Sequence, residues 1–191
     1  MEKKGVMNNQ KIQKLINDLQ SGEVKKIGQA LKLLKSEGSV EVLKPLAELL
    51  MVSKDESIRE DIIAFFSDLN VSSAVDEMMK LVKDDNLLSI RQPLLNTIWN
   101  CKLDYSYYLP EFVEIAVDGD FMEALECLTI IENMEGPFEE RHILESQLHL
   151  KDYLKDSTPK DPQKAQIMSE IALIIKDYTD FDEEDIRLFN N

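Results

Sequence analysis

The sequence predicts an all-helical protein assembled from a repeated pair of helices. Apolar residues recur at spacings of three and four through most of the 191 residues, as they do on one face of a helix. Short polar breaks that suit helix starts separate these stretches. Matching positions also return every 31 to 34 residues, and a period of this length is typical of helical-repeat proteins.

The clearest helix pair spans residues 42–69. Its first helix carries apolar residues at positions 42, 43, 46, 49 and 50. Its second helix has one apolar face, formed by Ile58, Ile62, Phe65, Phe66 and Leu69. Ser53 and Glu56 lie three residues apart between the two helices, and this spacing predicts a capping box at the start of the second helix.

The same unit recurs along the chain. An apolar–basic step opens the second helix three times, at Val24-Lys25, Ile58-Arg59 and Ile90-Arg91, and a fourth copy opens at Phe121. The preceding helices recur through Met78, Leu81 and Val82, and then through Leu109, Phe112, Val113 and Ala116. Because each pair has apolar surface on two sides, neighbouring pairs must stack to bury it.

Residues 11–135 resemble HEAT repeats. The resemblance rests on Pro45-Leu46, Leu49-Leu50, Asp55 and Ile58-Arg59, which return in part as Asp84-Asp85 with Ile90-Arg91 and as Leu109-Pro110 with Asp118. The fourth copy departs from the family pattern at Phe121-Met122, and the first at Gly28. The resemblance implies a right-handed α–α superhelix, or solenoid, of about four helix pairs, with the second helices lining a concave surface. HEAT repeats serve many unrelated roles, so the resemblance implies little about function.

One structural domain is expected, with an N-terminal tail (1–10), repeats (11–136) and C-terminal capping helices (137–191). The period breaks after Gly136-Pro137. Residues 138–155 predict one long helix with an apolar set of Ile143, Leu144, Leu148, Leu150 and Leu154. Asp161 as cap and Pro162 at the first helical position predict another helix. The acidic and apolar residues 180–189 suit either a short capping helix or a peptide that binds another protein.

The charge and the cysteines exclude several classes of function. A net charge of −15 is opposite to the basic surface that nucleic-acid binding requires, although residues 1–50 carry nine Lys against six acids. Cys101 and Cys127 make neither a disulfide framework nor a four-ligand zinc site. The sequence contains no signal-peptide pattern and no apolar run of ~18 residues. We therefore expect a cytoplasmic protein without a cofactor that binds neither membrane nor nucleic acid.

Two groups of residues are candidates for a partner surface. The first group is aromatic, a residue type favoured in interfaces, and consists of Trp99, Tyr105, Tyr107 and Tyr108. Packing between the third and fourth repeats is the alternative role for this group. The second group follows from the implied concave face and consists of Glu60, Asp61, Asn96, Asn100, Glu123 and Glu126. A solvated polar face is the alternative for this group.

These observations predict a non-enzymatic protein–protein interaction module, a scaffold or adaptor whose partner has a basic surface. One alternative is an acidic inhibitor that mimics nucleic acid. Another is a metal-dependent HEAT-like enzyme using His142, Glu145 and His149, although HEAT-like di-iron hydroxylases spread their His-Glu pairs over several repeats. A further alternative is one piece of a larger array whose other repeats lie on a different chain.

Overall fold

The computed structural model describes residues 9–37 and 40–178 of the protein. Within these ranges the chain is all-helical and contains no strand, as the sequence predicts. The chain divides into two compact units, residues 1–104 and residues 105–191.

The first unit contains six α-helices in its described part. They are α1 (Asn9–Leu19), α2 (Val24–Glu37), α3 (Leu43–Val52), α4 (Glu56–Ser67), α5 (Ala74–Val82) and α6 (Arg91–Asn100). Short 3₁₀ segments at Val40–Val42 and Asp85–Ile90 precede α3 and α6.

These six helices pack in an alternating order. Each helix packs on its partner in sequence, α1 on α2, α3 on α4 and α5 on α6. The first helices of the pairs stack in order, α1 on α3 and α3 on α5. The second helices do the same, α2 on α4 and α4 on α6. The apolar face of each helix is therefore shared between its own pair and its neighbours, which is the burial that the repeated apolar spacing predicts.

The predicted core of the first unit is confirmed at most positions. The apolar residues of its pairs that are buried include Ile27, Leu31, Leu34, Leu46, Leu50, Ile62, Phe66, Met78, Val82, Leu94 and Ile98. Leu69 and Cys101 are only half-buried, because α4 ends at Ser67 and α6 at Asn100, so both residues lie beyond the helices that were expected to hold them.

The turn between α3 and α4 corrects one prediction. Asp55 is the N-cap of α4, and its carboxylate accepts a hydrogen bond from the Ile58 N–H at 3.2 Å. The predicted capping box at Ser53 and Glu56 is wrong, because α4 begins at Glu56 and its cap must be the residue immediately before. Ser53 instead ends α3, where its N–H bonds the Leu49 carbonyl at 2.9 Å. Arg59 donates to the neighbouring Leu50 carbonyl at 2.5 Å.

The second unit contains four α-helices in its described part, α7 (Leu109–Asp118), α8 (Phe121–Glu132), α9 (Glu140–Lys155) and α10 (Pro162–Asp177). A 3₁₀ segment at Ser106–Tyr108 precedes α7. Helix α7 packs on α8 and α9, and α8 packs on α10. The sequence predicts capping helices in the region of α9 and α10. These two helices stack on the preceding pair in the same alternating order as the helices of the first unit. The segment 180–189, predicted as a capping helix or a binding peptide, lies outside the described residues.

The start of α10 is as predicted. The Asp161 carboxylate accepts hydrogen bonds from the N–H groups of Gln163 at 2.7 Å and Lys164 at 3.1 Å, and Pro162 is the first helical residue. The charged cap satisfies two of the amides that a helix start leaves without partners.

The predicted long helix is α9, and only part of its apolar set is buried. Ile143 and Leu150 are buried, but Leu144, Leu148 and Leu154 are exposed. The buried side of the helix is completed by two polar residues, His142 and Ser146, and the Ser146 hydroxyl is satisfied by the His142 carbonyl at 2.7 Å. A small residue that bonds its own helix can face a core at low cost, so apolar character alone does not identify the packed side.

Candidate functional site

Four tyrosine and tryptophan side chains were predicted as partner anchors, and their exposure separates them. Trp99, near the end of α6 in the first unit, is 39% exposed. In the second unit Tyr107 is 56% exposed and Tyr108 is half-buried. Tyr105 is buried, with its ring edge-on to Phe112 at 6.1 Å between centroids. Tyr105 is therefore a packing residue, and the prediction of it as a surface anchor is corrected.

Tyr107 is held in its exposed position by several contacts. Its ring meets the buried His142 ring edge-to-face at 4.8 Å and the Tyr108 ring at 5.4 Å. The Arg141 guanidinium lies 5.5 Å from the centre of the Tyr107 ring and donates a long hydrogen bond to the Tyr107 hydroxyl at 3.5 Å. These contacts restrict the rotation of the Tyr107 side chain.

Arg141 is oriented by Glu139. The Arg141 Nε donates to the Glu139 carboxylate at 2.7 Å. This hydrogen bond, with a smaller contribution from Tyr107, raises the pKa of Arg141 above its ordinary value. Tyr107, Arg141 and Glu139 thus form an exposed aromatic, cationic and anionic row, which the sequence analysis missed because Arg141 lies 34 residues after Tyr107.

The six polar candidates also separate by exposure. Glu60 and Asn100 are exposed, and Asp61 and Asn96 are half-buried. Asn100 donates to the Asn96 carbonyl at 2.9 Å, one turn earlier on α6. These four residues belong to the first unit, on helices α4 and α6.

Glu123 and Glu126 are buried, so the prediction that they lie on an open acidic surface is corrected. Glu123 belongs to a capping box at the start of α8: its N–H bonds the Asp120 carboxylate at 2.9 Å, and its own carboxylate accepts from the Asp120 N–H at 3.1 Å. The Asp–x–x–Glu spacing of Asp120 and Glu123 in the sequence is the signal for this cap.

A lysine ties α10 to the end of α7. The Lys164 Nζ donates to the carbonyls of Val117 and Gly119, both at 2.6 Å. Burial lowers the pKa of Lys164 below its ordinary value, although the carboxylates of Asp118 and Asp120 act in the opposite direction. A cation at a helix C-terminus satisfies carbonyls that lack helical partners. Lys164 therefore has a structural role.

Charge is distributed unequally between the two units. Residues 1–104 carry 15 Lys and Arg against 16 Asp and Glu, a net charge of −1. Residues 105–191 carry 7 Lys and Arg against 21 Asp and Glu, a net charge of −14. Almost all of the protein's net negative charge thus belongs to the unit that holds Tyr107.

Among the described residues, no three His, Cys, Asp or Glu side chains form a group that could hold a metal ion. His142, Glu145 and His149 accordingly do not make such a group, and the His142 ring packs against Tyr107. In the same part of the chain no helix has the length and apolar character needed to cross a membrane.

Comparison of the chain with known protein families, with curated protein sequences and with solved structures gave no match.

Proposed function

We propose that this chain is a HEAT-like α–α solenoid that acts as a non-enzymatic scaffold or adaptor for a protein partner. The helix packing within each unit supports the solenoid. When first helices stack on first helices and second helices on second helices, each pair buries the apolar surface on both of its sides. On this proposal α9 and α10 add a fifth pair to the four that the sequence pattern contains.

The observation that carries the functional proposal is the concentration of charge in the second unit, net −14 over residues 105–191. A strongly negative surface attracts and orients a basic partner, and it raises the association rate more than it tightens the final complex. We therefore propose a partner with a Lys- and Arg-rich face.

Exposed aromatic residues would supply the affinity. Tyrosine, tryptophan and arginine are the residue types in which binding energy concentrates. Tyr107 and Arg141 are in contact and exposed on the second unit, and Trp99 is exposed on the first. On the first unit, polar contacts to the partner would come from Glu60, Asp61, Asn96 and Asn100, as at the rim of a typical interface.

Affinity capture from native lysate tests this proposal. The baits are the wild-type chain, Tyr107→Ala with Tyr108→Ala, Trp99→Ala, and the matched control Leu173→Ala, which removes a 62% exposed side chain from α10. We expect a basic protein that wild type and Leu173→Ala retain and at least one aromatic variant loses. Equal retention by all four baits would remove the aromatic anchors from the proposal. Failure of wild type to capture any protein at low salt would count against a binding module.

The same charge distribution favours a second candidate, an acidic inhibitor that occupies the nucleic-acid site of a basic protein. Such binding depends on many charge pairs and weakens steeply as salt is added. An interface anchored on Tyr107 loses much less affinity over the same range. Repeating the capture at ~50 mM and ~500 mM salt separates the two, with the adaptor predicted to keep its partner at the higher concentration.

A further inference from the structure

The outward side of α9 carries an arrangement of five residues, of which the proposed function uses only Arg141. Opposite the buried side of this helix lie five exposed residues at successive spacings of three and four: Arg141, Leu144, Leu148, Lys151 and Lys155. At ~100° per residue these positions fall within a sector of about 80°. We call this set the basic–leucine stripe. It contains two leucines and three cations, and no acid.

Both leucines of the stripe are exposed to solvent. Leu144 is 48% exposed and Leu148 is 58% exposed. Single exposed leucines are ordinary on a protein surface. Two of them on consecutive turns, on the side of a helix that faces away from the core, leave a continuous apolar strip.

The cations make the stripe exceptional in its unit. The second unit has only seven Lys and Arg residues, and three of them are in the stripe. Arg141 pairs with Glu139 at 2.7 Å and Lys155 with Asp152 at 3.2 Å. Both pairs are exposed, and exposed pairs are weak enough to be exchanged for other carboxylates.

The chain contains a segment of complementary chemistry. Residues 180–189 interleave five carboxylates with four large apolar side chains and one arginine. The carboxylates are Asp180, Asp182, Glu183, Glu184 and Asp185, and the apolar residues are Phe181, Ile186, Leu188 and Phe189. The apolar side chains suit the two leucines and the carboxylates suit the three cations.

The attachment point of this segment lies beside α9. The Tyr178 ring stacks on Phe138 at 4.2 Å, and its hydroxyl donates to the Ile131 carbonyl at 3.1 Å. Phe138 precedes the first residue of α9 by two positions. Leu148 lies eight residues after Glu140, the first residue of α9, or about 12 Å along the helix. Ten residues of extended chain reach roughly 33 Å, so the segment can span the stripe.

A second copy of α9 suits the stripe less well. In either orientation, two stripes facing each other bring cations opposite cations, because three of the five positions are Arg or Lys. Like charges held face to face disfavour pairing. An acidic and apolar segment has no such conflict.

We propose that residues 180–189 bind the basic–leucine stripe of α9 in the same molecule. The segment would cover Leu144 and Leu148 and replace the exposed pairs of Arg141 and Lys155 with its own carboxylates. Because Arg141 also contacts Tyr107, a bound segment would lie next to the exposed tyrosine. This inference is independent of the identity of any partner.

Photo-crosslinking in the full-length chain tests the proposal. One variant carries Leu148→p-benzoylphenylalanine, and its control carries the same residue at Leu173, which is similarly exposed and closer in sequence to the segment. We expect position 148 to crosslink to residues 180–189 within a monomer and position 173 to give little of this product. A product that forms only between two molecules, or none that contains residues 180–189, would overturn the proposal.

A charge exchange gives the second arm of the experiment. Lys151→Glu with Lys155→Glu, in the chain that carries the crosslinker at 148, should reduce the intramolecular product about threefold to tenfold, the size expected for two exposed pairs. Adding Asp182→Lys and Glu183→Lys to that chain should restore it. The charge complementarity on which the proposal rests would be contradicted if the two Lys→Glu substitutions left the yield of intramolecular product unchanged. It would also be contradicted if the added Asp182→Lys and Glu183→Lys substitutions did not restore that yield. Both arms measure a product in the folded full-length chain, and circular dichroism of each variant confirms folding.

Discussion

The two units of this protein share a packing order and differ in charge. In each, helices pair with their sequence neighbours and stack on every second helix. Yet residues 1–104 are almost neutral, at −1, and residues 105–191 carry −14. The same arrangement of apolar faces therefore supports two quite different surfaces. Packing depends on residues at a few inward positions of each helix, whereas charge depends on the outward positions, so one can change without the other.

The largest expected effect tests the well-packed core that each of the two units has. Phe66 on α4 and Phe112 on α7 are both fully buried. If the two cores are packed to the same quality, Phe66→Ala and Phe112→Ala should each lower the free energy of unfolding by about 3–5 kcal/mol. Urea denaturation followed by circular dichroism measures both, with Leu173→Ala as an exposed control expected to change it by less than ~0.5 kcal/mol. A large loss in one unit and a small loss in the other would break the comparison.

The next effect concerns the cations at helix ends. Lys164 donates to two carbonyls at the end of α7, and Arg59 donates to one at the end of α3. Because lost charged hydrogen bonds leave carbonyls without partners, we expect Lys164→Met to lower the free energy of unfolding by about 1–3 kcal/mol. Arg59→Met should cost less, since one bond is lost from a partly exposed side chain. The opposite ranking in urea denaturation would contradict these roles.

A pair of glycines gives effects of opposite sign. Gly28 lies inside α2 with nothing within 4 Å of an added Cβ, so Gly28→Ala should raise the free energy of unfolding by about 0.5–1 kcal/mol. At Gly119 an added Cβ would lie 2.7 Å from the Ile115 carbonyl oxygen and 2.9 Å from the Glu123 Cβ. Gly119→Ala should therefore lower it by about 1–3 kcal/mol. Thermal denaturation shows whether each substitution raises or lowers the stability of the protein. Stabilisation by both substitutions would show that the α7–α8 turn accommodates the added methyl group without strain.

The smallest expected effect tests the difference in net charge between the two units. Self-repulsion should destabilise the second unit alone, and added salt screens it. Raising sodium chloride from ~20 mM to ~500 mM should slow amide exchange of the core of α8 and leave that of α4 nearly unchanged. Hydrogen exchange read by mass spectrometry resolves the two helices. An equal change in both would mean that net charge has little influence on the stability of either unit.

The positions of the helices could be predicted because burial imposes a spacing on the sequence. Ile58, Ile62 and Phe66 repeat every four residues, and all three are buried in α4. Helix ends were harder, because several polar residues near a turn can each act as a cap. Ser53 and Asp55 both suited the start of α4, and only the backbone position of Glu56 decides between them.

The candidate surface was predicted less well because exposure depends on tertiary contacts. Tyr105 and Tyr107 are two residues apart, but the first is buried against Phe112 and the second is exposed beside Arg141. Nothing local in the sequence separates them. The outward leucines of α9 could not be distinguished from its packed residues for a similar reason, since a helix with apolar residues on two sides does not reveal which side is packed.

The location of the proposed binding surface depends most directly on Tyr107. Once capture has identified a partner, its affinity should be measured by titration calorimetry for wild type, Tyr107→Ala and the exposed control Leu173→Ala, at ~150 mM salt. We predict that Tyr107→Ala weakens binding about thirtyfold, the loss typical of a central interface anchor, and that Leu173→Ala changes it less than about twofold. Equal affinity for wild type and Tyr107→Ala would contradict a binding surface centred on this residue.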